Sequence, residues 1–101
     1  MKFLCGAARA VITPPVGTLL YGYQPDLVST SVHDDLTATA IAFSSGTDTA
    51  LLVSVTVGDI HTDLDRALRA EMAAACGVPA DRIILAATHT HCGPNVSGVA
   101  G

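Results

Sequence analysis

Alternating and uninterrupted apolar runs divide the chain into short strands and one helix. Residues 36–44 alternate threonine with alanine before a short apolar run, and residues 49–57 form a β-branched run that predicts a second, largely buried strand. The connector 45–48 is short and rich in turn-forming residues, so these strands are predicted to form an antiparallel hairpin. An earlier strand is predicted over residues 6–12. It ends before two consecutive prolines, which have no backbone N–H to donate to a neighbouring strand.

In residues 62–76 the apolar residues recur about every 3.6 positions instead of every second position, which predicts an amphipathic helix. Thr62 or Asp63 is the candidate N-cap, and Gly77 ends the helix. Residues 82–88 are again apolar and predict a buried strand. Strand, helix and strand in this order indicate a βαβ unit with a right-handed crossover. The predicted fold class is α/β, with a β-hairpin and a βαβ unit in one mixed sheet.

Composition narrows the class of protein without naming a function. The 101 residues are 50% hydrophobic and 14% charged, which is typical of a folded domain with a modest core. A net charge of −4 and five scattered basic residues argue against a nucleic-acid partner. No apolar run approaches the roughly 20 residues of a transmembrane segment, and no signal peptide is visible, so a cytoplasmic location is expected. Three widely spaced cysteines argue against a disulfide framework.

The segment 86–95 contains the most informative chemistry, because His89 and His91 stand two residues apart at the end of the last predicted strand. In an extended backbone such side chains point to the same face, so the two imidazoles are expected to converge. Imidazole is a common zinc ligand, and ligands in α/β sheets bind at the carboxyl ends of the strands. Two histidines alone do not complete a zinc site, which usually takes three or four protein ligands.

Other polar residues allow both a structural and a functional interpretation. His33, beside two aspartates, is either part of a strand entry or an outer partner of a metal site. His61 is typical of a helix start, while Asp59 is the nearest carboxylate candidate for the histidine site. The turn 21–23 either packs its tyrosines on the sheet edge or lines a pocket. Cys92 is expected to point away from both histidines, which argues against a role as ligand or nucleophile.

Three motifs follow one another along the chain: G-A-A-R-A-V-I-T-P-P at 6–15, V-H-D-D-L at 32–36 and A-T-H-T-H-C-G-P at 87–94. Together they resemble the amino-terminal domain of the neutral/alkaline non-lysosomal ceramidase family. The resemblance implies a zinc-dependent amidohydrolase that cleaves the N-acyl bond of ceramide into sphingosine and a fatty acid. It implies His89 as a zinc ligand and His91 as the active-site histidine that contacts the substrate. The family usually has serine where this chain has Cys92.

The resemblance also implies ligands that the chain does not contain. A second histidine, a glutamate, a tyrosine and a substrate-contacting arginine would lie beyond residue 101. Residues 1–101 are therefore expected to be the amino-terminal portion of a larger catalytic domain, a fragment that alone binds zinc poorly and does not hydrolyse ceramide. Family members are often secreted, in contrast to the location expected above. Two alternatives remain: a non-catalytic binding or structural module with an incomplete metal site, and a barrel-type H-x-H metal hydrolase, in which the motif normally follows the first strand.

Overall fold

The computed structural model describes residues 3–22 and 27–96 and shows a single mixed sheet with one α-helix. The elements in chain order are β1 (Leu4–Val11), β2 (Thr37–Ser44), β3 (Thr49–Val55), α1 (Thr62–Cys76), a 3-10 turn (Ala80–Arg82) and β4 (Ile83–Ala87). Every predicted element is present, with strand ends shifted by one or two residues. The predicted α/β fold class is confirmed.

The strands lie in the order β1-β2-β3-β4, so each strand is hydrogen-bonded to its neighbour in the chain. Pairing is antiparallel from β1 to β3 and parallel between β3 and β4. The hairpin turn is closed by the Ser45 N–H, which donates to the Asp48 carbonyl at 2.9 Å. The predicted hairpin and the predicted βαβ unit are both confirmed. Parallel pairing of β3 with β4 brings their carboxyl ends to the same edge of the sheet.

Helix α1 has the predicted bounds but a different N-cap residue. The cap is His61, whose Nδ1 accepts a hydrogen bond from the Leu64 N–H at 3.3 Å, so the prediction of Thr62 or Asp63 was wrong. At the other end Gly77 has φ 71°, and its N–H donates to the Ala73 carbonyl at 2.9 Å. A glycine suits that left-handed cap because it has no side chain to oppose a positive φ.

Fewer hydrophobic side chains are buried than the apolar runs of the sequence predict. Among the described residues the buried hydrophobic side chains are Val53, Val57, Val78 and Ile83, whereas Ile84 is 63% exposed. The expectation of largely buried strands over 49–57 and 82–88 was therefore wrong. One helix covers only one face of a sheet, and β4 is an edge strand, so alternate side chains face outward. None of the helices in the described ranges is long and apolar enough to cross a membrane.

Candidate active site

The candidate site lies at the carboxyl end of β3 and β4, where the chain leaves the sheet but continues to pair with it. The Thr88 N–H donates to the Val55 carbonyl at 3.1 Å, and the His89 N–H donates to the Val57 carbonyl at 3.0 Å. These two bonds extend the parallel ladder past the end of β4 and bring His89 beside Gly58. The sequence-based expectation that His89 and His91 stand at a ligand-binding edge of the sheet agrees with this position.

His89 has φ 69° and is the one non-glycine residue with a positive φ in the described part of the chain. Such a conformation costs about 1–3 kcal/mol and tends to occur at functional sites. The extended backbone expected for 89–91 was therefore wrong, because β4 ends at Ala87 and the chain bends at His89. The imidazoles still converge: their ring centroids are 5.1 Å apart, and Nε2 of His91 lies 3.5 Å from Nε2 of His89.

The tautomer of His89 follows from its partner. Nδ1 of His89 lies 2.9 Å from the carbonyl oxygen of Gly58. Because a carbonyl oxygen only accepts, Nδ1 carries the proton and donates, which leaves a lone pair on Nε2. Metal-ligating histidines usually have this arrangement, with the other ring nitrogen bonded to a carbonyl or a carboxylate. His89 is also solvent-exposed, so its Nε2 can be reached from outside.

The spacing of the two Nε2 atoms is compatible with one small cation between them. Two nitrogen ligands at the usual zinc distance on a tetrahedral ion are about 3.3 Å apart, and the observed separation is 3.5 Å. The donor set therefore fits zinc, although it is incomplete. No group of three or more histidine, cysteine, aspartate or glutamate side chains that could hold a metal ion occurs within 3–22 and 27–96.

Tyr21 completes an aromatic cluster with the two histidines. Its ring is edge-on to both imidazoles, with centroid distances of 5.7 Å to His89 and 5.8 Å to His91. The Tyr21 N–H donates to the Gly93 carbonyl at 3.1 Å, which joins the loop before β2 to the segment after the histidines. Of the two interpretations of the turn 21–23, the position of Tyr21 fits packing at the sheet edge, because its ring lies against Gly58 and the two imidazoles. That the turn lines a pocket stays a prediction. Tyr23 lies outside the described residues.

Two glycines provide the space for this cluster. A Cβ atom at Gly58 would lie 2.0 Å from Cδ2 of Tyr21, and one at Gly22 would lie 2.5 Å from Cγ of His91. Any side chain at either position would displace an aromatic ring. The sequence singled out the turn that contains Tyr21 and Gly22, but it gave no signal for Gly58.

The other candidate residues do not join the histidine pair. Nε2 of His33 lies 3.8 Å from Asp34, and both side chains are almost fully exposed. The carboxylate of Asp59 accepts a hydrogen bond from the adjacent Ile60 N–H at 2.9 Å, and His61 caps α1. The structure thus supports the structural interpretation of His33 and His61. For Asp59 it shows a local backbone contact instead of a contact with His89.

The first two motifs are joined by a threonine. The hydroxyl of Thr13 donates to the carboxylate of Asp35 at 2.9 Å and accepts from the Leu36 N–H at 2.8 Å. This contact fixes the entry to β2 beside the proline pair. Residues of all three motifs, including Pro14, His33, Cys92 and Pro94, line a mainly apolar cleft of about 620 Å³. Cys92 is exposed and lines this cleft; the orientation of its thiol away from the imidazoles stays a prediction.

Fold and site together define part of an α/β domain with a histidine pair at the edge of its sheet. The chain is similar to the neutral ceramidase from Pseudomonas aeruginosa, with a TM-score of 0.80, 27% identity, and coverage of 92% of this chain and 16% of that chain. It is also similar to a structure described as ceramidase complexed with C2, with a TM-score of 0.81, 25% identity, and coverage of 92% and 15%. No protein-family model and no curated protein matches the chain.

These similarities confirm the resemblance to neutral ceramidases that the three motifs carry. They also confirm that the four-stranded sheet corresponds to part of a larger domain, because the chain spans about one sixth of the length of each ceramidase that it matches. The radius of gyration, 15.4 Å, agrees with such a flat piece, since a compact domain of this length has about 13 Å.

Proposed function

We propose that this chain forms part of the active site of a zinc-dependent amidohydrolase that hydrolyses the N-acyl bond of ceramide to sphingosine and a fatty acid. In this proposal His89 is a zinc ligand and His91 contacts the substrate near the scissile amide. The observation that carries the metal assignment is the contact of His89 Nδ1 with the Gly58 carbonyl, which leaves the lone pair of Nε2 available at the sheet edge. The similarity to ceramidase structures over 92% of the chain supports the choice of substrate.

The chain's own residues prepare the site in two ways. The Gly58 carbonyl fixes the His89 tautomer through the 2.9 Å contact at Nδ1, so that Nε2 presents its lone pair. His91, half-buried beside Tyr21, has a ring N–H that can donate to a substrate carbonyl and orient the amide. Zinc bound through His89 would supply Lewis acidity, which polarises the carbonyl and makes water a nucleophile at neutral pH.

The proposal is tested on the full-length gene product that contains this sequence. Zinc content and hydrolysis of an N-acylsphingosine are measured for the wild type, His89→Asn and His91→Asn. Asparagine is chosen at position 89 because it tolerates the positive φ better than alanine does. We expect His89→Asn to lose zinc and activity together. His91→Asn is expected to keep zinc and to lose at least about 100-fold in kcat, in line with the contribution of a positioned proton donor.

Each variant has an outcome that contradicts one part of the proposal. Zinc and activity that both survive His89→Asn would exclude the metal-site assignment. Loss of zinc from His91→Asn would make both histidines ligands, which their 3.5 Å separation permits. A wild-type protein that binds ceramide without hydrolysing it would favour the alternative, a binding module with an incomplete metal site.

A further inference from the structure

Tyr21 has no role in the proposed hydrolysis, yet its ring packs against both members of the histidine pair. Its ring contacts the imidazoles of His89 and His91 at nearly equal centroid distances, 5.7 and 5.8 Å. The interplanar angles are 72° and 77°, so both contacts are of the edge-to-face kind that aromatic rings prefer. One ring therefore restricts the rotation of both imidazoles.

The Tyr21 ring is itself held from two sides. Its backbone N–H is bonded to the Gly93 carbonyl at 3.1 Å, and the neighbouring Leu20 pairs with Pro94 in an isolated bridge. On the other side the ring lies so close to Gly58 that a Cβ there would be 2.3 Å from Cγ, the fixed base of the ring. Because Gly58 also provides the carbonyl that binds Nδ1 of His89, the same residue positions the tyrosine and the histidine.

The tyrosine and the carbonyl restrict different motions. The Gly58 carbonyl selects the tautomer of His89 and fixes one ring nitrogen. The Tyr21 ring, in contrast, packs edge-on against His91 as well as His89. The backbone at His89 bends through a positive φ, so the extended-strand rule does not hold the side chains of 89 and 91 on one face. The edge-to-face packing on Tyr21 is a contact that both imidazoles make.

We infer that Tyr21 is a positioning residue, whose ring holds the His89 and His91 imidazoles so that their Nε2 atoms face the same point. The inference rests on the proposed function only for the identity of the ligand, zinc. The orientation of the two rings is a property of the metal-free chain. Because the contacts are made by the ring, Tyr21→Phe should preserve the orientation of the imidazoles, while Tyr21→Ala should not.

The test uses the full-length gene product that contains this sequence, with isotope-labelled histidine, and follows the imidazole proton resonances by NMR during titration with Zn²⁺. Wild type, Tyr21→Phe and Tyr21→Ala are compared, with Phe3→Ala as the matched control. Phe3 is an exposed aromatic residue that packs on Phe43 at the opposite end of the sheet, with a ring separation of 6.2 Å. Nuclear Overhauser contacts between the two imidazoles are measured before zinc is added, which reports ring orientation separately from metal binding.

We expect Tyr21→Ala to lose the contacts between the imidazoles and to bind Zn²⁺ about tenfold more weakly, as removal of an outer partner of a metal site does. Tyr21→Phe and Phe3→Ala should match the wild type in both measurements. Wild-type contacts and affinity in Tyr21→Ala would overturn the inference. So would a loss in Tyr21→Phe equal to that in Tyr21→Ala, because the hydroxyl and not the ring would then be responsible.

Failure of the proposed function is distinguishable from failure of this inference. If the wild type binds no Zn²⁺, the metal assignment fails, and the contacts in the metal-free chain decide the role of Tyr21. Contacts that are lost in Tyr21→Ala and retained in Tyr21→Phe support the positioning role without any metal. Contacts that persist in all variants exclude it.

Discussion

The two ends of the sheet differ in how tightly their side chains are packed. At the end with the β2–β3 turn, an exposed ion pair joins Arg82 to Asp48, and a Cβ added at nearby Gly6 would meet nothing within 4 Å. At the carboxyl end of β3 and β4, a Cβ at Gly58 or Gly22 would overlap an aromatic ring. At the glycine positions compared, space is therefore restricted beside the candidate site and free at the opposite end, which we call the open end. The same glycine-to-alanine substitution should therefore lower the free energy of unfolding more beside the candidate site than at the opposite end.

The largest effect is expected from Gly58→Ala. Gly58 is buried, and the new methyl group would lie 2.0 Å from Cδ2 and 2.3 Å from Cγ of Tyr21, so rotation of the ring cannot relieve the overlap. Overpacking of this kind should lower the free energy of unfolding by about 3 kcal/mol. The measurement is urea denaturation followed by circular dichroism. The double variant Gly58→Ala with Tyr21→Ala should recover part of the loss, because the clash is between these two residues.

Gly6→Ala is the matched control for Gly58→Ala. It makes the same substitution in a strand at the open end, where there is space for the methyl group. We expect a stability equal to the wild type or higher by about 0.5 kcal/mol, because alanine reduces the freedom of the unfolded chain. Equal destabilisation by the two alanines would contradict the claimed difference between the ends of the sheet.

Gly22→Ala should have the second largest effect. Gly22 has φ 104°, and a Cβ there would meet Cγ of His91 at 2.5 Å. Gly17 is a well-matched control because its φ is 96° but nothing lies within 4 Å of its Cβ position. Gly17→Ala should cost about 1 kcal/mol from backbone strain alone, and Gly22→Ala about 2 kcal/mol from strain and overlap together. Urea denaturation gives both values, and NMR should show displaced His91 resonances in Gly22→Ala only.

The helix and the topology were predictable because their signals are local. The apolar period of α1 ends at Gly77, whose left-handed cap closes the helix, and the short turn 45–48 allows only an antiparallel hairpin. The N-cap was missed because His61 is outside the usual set of capping residues. Burial of β3 and β4 was overestimated because an apolar run predicts a strand equally well whether or not another layer covers it.

The site was predictable in its location but not in its geometry. Convergence of His89 and His91 was expected from an extended backbone, whereas the actual chain bends at His89 and is held by the carbonyl of Gly58, 31 residues earlier. The contact of Tyr21 with both rings depends on a loop whose path is set by backbone bonds to Gly93. No local pattern encodes contacts between segments so far apart in the chain.

A smaller effect is expected from His61→Ala. The Nδ1 atom of His61 accepts from the Leu64 N–H at 3.3 Å, a long capping bond at the start of α1. Its removal should lower the free energy of unfolding by about 0.5 kcal/mol, the lower end of the range for N-caps. His61→Ser should restore or exceed wild-type stability, since serine is a preferred N-cap. Zinc binding followed by NMR should not change in either variant, and weaker binding would show that His61 acts as a ligand.

The smallest effect is expected from Arg82→Ala, at the open end of the sheet. Nη1 of Arg82 lies 2.6 Å from Oδ1 of Asp48, but the two side chains are 46% and 65% exposed, so solvent screens the pair.

The hydrogen bond to Asp48, and then its charge, raise the pKa of Arg82 further above its already high value. A raised pKa stabilises the fold below the unfolded-state pKa, and that contribution is lost only as pH rises through the folded-state value. Both values lie far above neutrality, so titration of Arg82 should not change the difference between wild type and variant from about pH 7 to about pH 9. Urea denaturation at both pH values should give midpoints close to the wild type, with Arg66→Ala on the exposed side of α1 as the control. A loss approaching that of Gly58→Ala would show that the open end is held as tightly as the histidine end.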